Sequence, residues 1–257
     1  MFNNKKVIGV TGVSTWSPEV AKMVVEKMNS IPVFVDQDSQ DGLEFIVSQI
    51  DGLILAGGVD IFPGTYGQHL TDGNGLTKFD IRRDKREMSL IKMCIEAEKP
   101  IFGICRGLQM LGVYHGFPLY PHISSRGIVH SPGDIRVNLE DGGFMHYITC
   151  VDNEAKKFLS KDGADIVPVN SYHHQAIWLG EPRSLIKQRG GLKVVAQADT
   201  SEESKYNLII AEVMESLDKK IIACQFHPEA DWMYGNEASN AVIHRFMDFV
   251  GIKIDSK

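Results

Sequence analysis

Short continuous apolar runs along the chain alternate with stretches in which apolar residues recur every three or four positions. Such a pattern predicts buried strands separated by amphipathic helices. Val7-Ile8-Gly9-Val10 is the first run; Ser17, Pro18 and Glu19 then supply a cap, a first-turn proline and a first-turn acid for a helix running to about Met28. Ile31 to Val35 reads as a second strand, Leu43 to Ile50 as a short helix and Leu53-Ile54-Leu55 as a third strand. Repetition of this kind implies parallel strands joined by right-handed crossovers, with helices on both faces and ligands gathered at the carboxyl ends of the strands.

Further along, Phe79 to Glu98 predicts a long helix, and Ile101 to Ile104 a buried strand that passes at once into a helical pattern at Leu108, Met110 and Leu111. Thr71 to Gly75 and Tyr114 to about Ser131 read as loops, the second covering or edging a site. Asp134 to Leu139 and Met145 to Val151 alternate enough to predict antiparallel strands around Asp141-Gly142-Gly143, an addition at a sheet edge. Val167 to Ser171, Lys193 to Ala198, Leu208 to Met214 and Ile221 to Phe226 are strand-like. Asn236 to Val250 is a closing helix with Ala241, Ile243, Phe246 and Phe249 inward. The expected fold is therefore α/β, a doubly wound, mostly parallel sheet flanked by helices with added antiparallel strands. No repeat or linker divides residues 1–257, so a single domain is expected.

Composition narrows the chemistry. A net charge of −6 without a basic run argues against nucleic acid or an anionic membrane surface as partner, and no stretch reaches the ~18 apolar residues of a membrane span. Four cysteines (Cys94, Cys105, Cys150, Cys224) show no paired short spacing, so neither a zinc site nor a disulfide framework is indicated, and a reduced cytoplasmic setting is expected. The histidines His115, His122 and His130 read as surface or packing residues, with no metal spacing. Gly57-Gly58 lacks the lysine and hydroxyl of a phosphate loop, which disfavours nucleotide hydrolysis.

The reactive candidate lies in Gly103-Ile104-Cys105-Arg106-Gly107, where a strand turns sharply into a helix. This is the layout of a nucleophile elbow with cysteine in place of serine. The turn forces its central residue toward strained angles, and glycines two positions either side relieve the crowding. The sulfur is placed beside the first amides of the following helix, whose partial positive charge favours an anion. Two glycines packing a helix close to a strand would give the same local pattern without chemistry. Gln225-Phe226-His227-Pro228-Glu229, at the end of another buried run, tips the balance: Cys105, His227 and Glu229 are the parts of a thiol triad. Pro228 restricts His227 to extended angles and so fixes where the imidazole points. Gly57 and Gly58 let the backbone present amide hydrogens to an oxyanion, and elbow geometry makes the Arg106 amide the second donor.

Gly-Ile-Cys-Arg-Gly-Leu-Gln and Gln-Phe-His-Pro-Glu together resemble the class I glutamine amidotransferase superfamily. The arginine after Cys105, the segment Asn170-Ser171-Tyr172-His173-His174-Gln175-Ala176 and the segment from Gly57 to Gly67 resemble its peptidase C26 branch, the gamma-glutamyl-gamma-aminobutyrate hydrolases. The resemblance spans nearly the whole chain. It implies a flavodoxin-like amidotransferase fold, hydrolysis of a small γ-glutamyl amide without cofactor or metal, and contacts to the glutamyl group from Gly57, Asp60, Gln109, Ser171, Tyr172 and His173. Successive strand residues face opposite sides, so His173 and His174 are not expected to share one ligand, and either could face the pocket. Where the family pattern has a third glycine and an acid, this chain has Val59 and Phe62. The charge run Arg82, Arg83, Asp84, Arg86, Glu87 reads by default as a solvated face; the likeness of Arg83-Asp84 with Glu87 to the family's Arg-Asp segment implies instead a brace for the catalytic loop, with a substrate contact as the alternative.

The substrate implied is γ-glutamyl-γ-aminobutyrate or a γ-glutamyl polyamine, and Asp60 and Asp231 are candidates to attract a cationic leaving group. Three alternatives stay open: a glutaminase subunit feeding ammonia to a separate synthetase, a folate polyglutamate hydrolase, and a non-catalytic binding module. A homo-oligomer is compatible with the sequence.

Overall fold

In the computed structural model, residues 5–12, 17–36, 38–70, 78–123, 145–180, 185–199 and 209–253 are described. The first half builds parallel strands: β1 (Val7–Thr11), α1 (Ser17–Lys22), β2 (Ile31–Val35), α2 (Gln40–Gln49), β3 (Gly52–Leu55), α3 (Ile81–Glu96), β4 (Ile101–Ile104) and α4 (Arg106–Tyr114). The second half adds β5 (Leu119–Tyr120), β6 (Met145–Cys150), α5 (Asn153–Leu159), β7 (Ile166–Asn170), β8 (Ala176–Gly180), β9 (Gln188–Arg189), β10 (Leu192–Asp199), β11 (Ile209–Ser216), β12 (Ile221–Cys224), α6 (Pro228–Asp231) and α7 (Glu237–Val250).

The sheet runs β2-β1-β3-β4-β12-β11-β10-β6-β7. The first five of these strands are mutually parallel, and β11, β10, β6 and β7 extend them antiparallel. This is the α/β fold with a parallel core that the alternating pattern predicts.

Period-two alternation sorts the core onto the two faces. Ile54, Phe102 and Ile104 join Val20, Met23, Phe246 and Val250 on one side. Leu53, Leu55 and Ile101 join Leu43, Leu90, Ile91, Leu108 and Leu111 on the other. Both faces are covered, which is why these strands read as unbroken apolar runs.

Several boundaries move for local reasons. Helix α3 starts at Ile81, two residues beyond the expected start at Phe79, because the Asp80 carboxylate caps it, accepting the Arg82 and Arg83 amides at 3.0 and 3.1 Å. The first helix ends at Lys22 and continues as a π turn, Met23–Lys27, rather than running as one α-helix to Met28. Helix α5, capped by Asp152 on the Ala155 amide at 2.8 Å, and strand β8 were not anticipated. On α7, Ala241 and Phe249 are only partly buried, whereas Val242, Met247 and Val250 join Ile243 and Phe246 in the core. The expected loop at 71–75, strand at 134–139 with its glycine turn, and much of the loop reaching Ser131, with His130, lie outside the described residues. Among the described residues, no helix is long and apolar enough to cross a membrane.

Because β1, β3, β4 and β12 are parallel, their carboxyl ends share one edge, and Thr11, Gly57, Cys105 and His227 all lie there. The turn after β4 is built by close approach. A Cβ on Gly103 would lie 2.8 Å from the Gly107 backbone, and one on Gly107 would lie 2.1 Å from the Leu55 carbonyl oxygen. Both obstacles are backbone, so nothing flexible can move aside. Gly107→Ala is expected to destabilise the protein by roughly 3 kcal/mol, the upper range for overpacking; a urea-unfolding midpoint equal to that of the wild type would refute the packing account.

Candidate active site

Cys105 occupies the elbow at φ 52° and ψ −103°, a conformation outside the regions ordinary residues populate. Its amide donates to the Cys224 carbonyl at 2.8 Å, tying the turn to β12. The side chain is 6 % exposed, so the elbow does not leave it in open solvent. Cys94, Cys150 and Cys224 are free and buried, as small core thiols.

The neighbouring strand β12 delivers His227. Asn170, at the end of β7, clamps that residue's backbone from both sides: its Oδ1 accepts the His227 amide and its Nδ2 donates to the His227 carbonyl, each at 2.8 Å. The same Nδ2 reaches Asp231 at 2.9 Å. The imidazole Nδ1 meets Glu229 Oε1 at 2.8 Å, and both residues are buried. The Tyr172 ring stands edge-on to the imidazole at 5.7 Å. Gly57 closes another side, since a Cβ there would lie 2.8 Å from His227 Cε1.

Burial by itself would lower the pKa of His227. The charge of Glu229 and the charge and hydrogen bond of Cys105 overcome it, raising the value to about 10. The structure thus brings Cys105, His227 and Glu229 into one hydrogen-bonded array.

The charge run of α3 takes the bracing position that the family likeness implies rather than a solvated face. Arg83, Asp84, Arg86 and Glu87 are buried, not solvated. Arg106, itself 1 % exposed, sends its guanidinium to Asp84 and Glu87. Glu87 also accepts Arg83 Nε at 2.8 Å and the Thr11 hydroxyl at 2.7 Å. Asp84 in turn accepts the Phe62 amide and the Thr65 hydroxyl at 3.0 and 2.9 Å. Burial pushes both carboxylates toward neutrality. In Glu87 the Arg106 and Arg83 charges prevail and lower the pKa to about 2, whereas Asp84, with Arg106 as its main cation, stays raised. Arg83 Nη2 donates to the carbonyls of Ala56 and Gly57 at 2.7 and 3.1 Å, gripping the glycine loop.

The remaining candidates divide. Gln109 is buried, its amide donating to the Gln175 carbonyl at 2.8 Å and to Gln225 Oε1 at 3.2 Å. His173 is buried toward the Gln175 carbonyl and Glu212. His174 turns the other way, onto Asp60 at 2.7 Å and His122 at 2.9 Å; the two adjacent histidines diverge, but in the irregular segment between β7 and β8 and not by the alternation of a strand. Ser171 is fully buried and Tyr172 half-buried beside His227. Asp60 is engaged by His174 and Asp231 by Asn170.

Two organising residues had not been singled out. Asn170 holds the histidine backbone, and Gln175 accepts the Ile61 amide at 2.9 Å, joining the glycine loop to the segment after β7. Each is a polar residue beside a buried apolar run, the one signal that marks such a brace in sequence.

Residues 4–229 match the model of the Peptidase C26 family. The glutamine amidotransferase-like protein YvdE of Lactococcus lactis is 31% identical over 212 residues, covering 81% of this chain and 78% of the relative. The gamma-glutamyl-gamma-aminobutyrate hydrolase of Escherichia coli O157:H7 is 37% identical over a shorter 79 residues, 30% of each chain. Among solved structures, the glutaminase domain of Trypanosoma brucei CTPS with bound acivicin superposes with a TM-score of 0.58 at 16% identity, covering 97% of this chain and 95% of that one.

The His227–Glu229 contact generates a test that needs no substrate. Glu229→Gln removes the largest contribution that raises the pKa and leaves burial opposed by Cys105 alone. The imidazolium, present in the wild type up to about pH 10, should then be lost at least roughly two pH units lower. An imidazole NMR titration whose midpoint stays near 10 would show that Glu229 is not the cause.

Proposed function

The chain belongs to the Peptidase C26 family, within the class I glutamine amidotransferase-like superfamily, and on that premise we propose that it hydrolyses the amide bond of a small γ-glutamyl amine. The observation that carries this reading is the hydrogen-bonded array of Cys105, His227 and Glu229 at adjoining parallel strand ends. Cys105, its proton held by His227, attacks the δ-carbonyl carbon. The carbonyl electron pair moves onto oxygen, which the amides of Gly58 and Arg106 receive; one such donor contributes about 3 kcal/mol to lowering the barrier. Collapse expels the amine, protonated by His227, and leaves a γ-glutamyl thioester. Water, deprotonated by the same imidazole, then releases glutamate and restores the thiol. Glu229 stabilises the imidazolium through both steps.

Tyr172 and Asp60 line the approach in this reading, while Gln109 and His173 support the loops from behind. Every polar group invoked belongs to the protein, so the reading calls for no metal or cofactor. Glutamine as substrate is the second reading, favoured by the likeness in fold to a glutaminase domain.

Glutamate release should be measured from glutamine, γ-glutamyl-γ-aminobutyrate, γ-glutamylputrescine and γ-glutamylspermidine. The expected result is preference for one alkyl amide, with Cys105→Ala reducing turnover by at least about 10⁴-fold. Turnover of glutamine alone would replace the first reading with the second, and turnover of none would leave a binding module.

A further inference from the structure

Beneath the elbow, one carboxylate touches both halves of the machinery that receives the oxyanion. Glu87 is fully buried one helical turn after Arg83. Through Oε1 it accepts Arg83 Nε at 2.8 Å, and Arg83 Nη2 in turn holds the carbonyls of Ala56 and Gly57. Through Oε2 it accepts Arg106 Nη1. The Thr11 hydroxyl, at 2.7 Å from Oε1, fixes the carboxylate to the end of β1.

The peptide between Gly57 and Gly58 is trans, as none of the described peptides is cis. In a trans peptide the N–H points opposite to the C=O. Arg83 captures the Gly57 carbonyl, so the Gly58 N–H is turned away from the guanidinium. The glycine pair leaves no room for error: a Cβ on Gly58 would lie 2.1 Å from Arg83 Nη1, and one on Gly57 would strike His227. The other donor, the Arg106 amide, belongs to a residue whose side chain ends on the same Glu87 carboxylate. Two backbone donors from separate loops are therefore referenced to one anion, by one guanidinium arm each.

We infer that Glu87 is a positioning residue that sets the spacing and aim of the Gly58 and Arg106 amides, with Arg83 and Arg106 as its arms. This inference rests on the γ-glutamyl hydrolase reading and deepens it. Glu87 touches neither substrate nor the reacting atoms. Asp84 completes the charge balance, two guanidiniums against two carboxylates, and ties the 3₁₀ turn Pro63–Tyr66 to the same group.

Glu87→Gln keeps the shape of the side chain but replaces one acceptor by a donor, so it cannot serve both guanidiniums. Wild type and variant are compared in kcat and KM on the best γ-glutamyl amide, and in the rate of Cys105 alkylation by iodoacetamide. Alkylation displaces iodide from a saturated carbon and builds no oxyanion, so it reports the nucleophile alone. The expected result is a kcat lowered about 100-fold, the loss of one oxyanion donor, with KM and the alkylation rate each changed less than about threefold. Should Glu87→Gln fail to fold, Arg83→Lys, which keeps the charge but loses the fork, is expected to show the same split.

Unchanged kcat, or kcat and alkylation falling together, overturns the positioning role. A wild type that turns over no γ-glutamyl amide overturns the hydrolase reading and with it this inference. A wild type that is active beside an unimpaired variant overturns the inference alone.

Discussion

The turn at Cys105 is the constraint on which the rest of the active edge depends. A non-glycine residue at φ 52° and ψ −103° persists only if its surroundings over-determine it. Here they do so by contact. Gly103 and Gly107 press on each other's backbone, and Gly107 also presses on β3, so the helix after the cysteine sits against the sheet with no side chain between. The parallel arrangement then brings the ends of β3 and β12 to either side of the turn. The glycine loop and the histidine follow from strand order, not from separate devices.

The site contains two buried charge systems of different character. In the first, His227 lies between Glu229 and Cys105, and its raised pKa shows that their attraction exceeds the penalty of burial. In the second, Arg83, Arg106, Asp84 and Glu87 balance one another on the far side of the elbow. Breaking a buried pair leaves an uncompensated charge at a cost of about 3–5 kcal/mol, so the second system resists rearrangement while protons move in the first. Linkage gives the two systems opposite signs. The contribution of Glu87, whose pKa is depressed to about 2, is complete above its ordinary value of 4.5 and fades as pH falls toward 2. That of His227 is complete below 6.5 and fades as pH rises through about 10.

Much of this was legible in sequence, because the signals are local. Apolar runs marked β1, β2, β3, β4 and β12, glycine spacing marked the elbow, and His227-Pro228-Glu229 marked the histidine and the carboxylate it meets. What escaped was set by tertiary contact. The run from Arg82 to Glu87 has the composition of a solvated helix face, which Arg82 and Lys85 do present; the family likeness implies a brace but not its partners, which are Arg106 for Asp84 and Glu87 and the Asp36 and Asp38 carboxylates for Arg86. His173 and His174 are indistinguishable by type, and the route of the chain after β7 sends one to the interior and the other to Asp60. Helix α5 is a different case. Asp152 before Asn153-Glu154-Ala155 is an ordinary capping pattern, but the seven residues that follow it are too few to show a helical period.

The histidine's immobility bears on how the proposed reaction must run. Asn170 grips both sides of its peptide backbone, Pro228 limits its angles, and Glu229 takes Nδ1. Proton traffic therefore falls to Nε2 in both half-reactions, from the thiol to the departing amine and then from water. An imidazole that cannot swing serves three partners from one nitrogen only if they occupy nearly the same place in turn. In the proposed reaction the amine leaves past the His227 ring, and water enters where the amine stood. Selectivity for the leaving group then resides in what stands along that exit rather than in the triad, whose geometry is common to every γ-glutamyl amide the site admits.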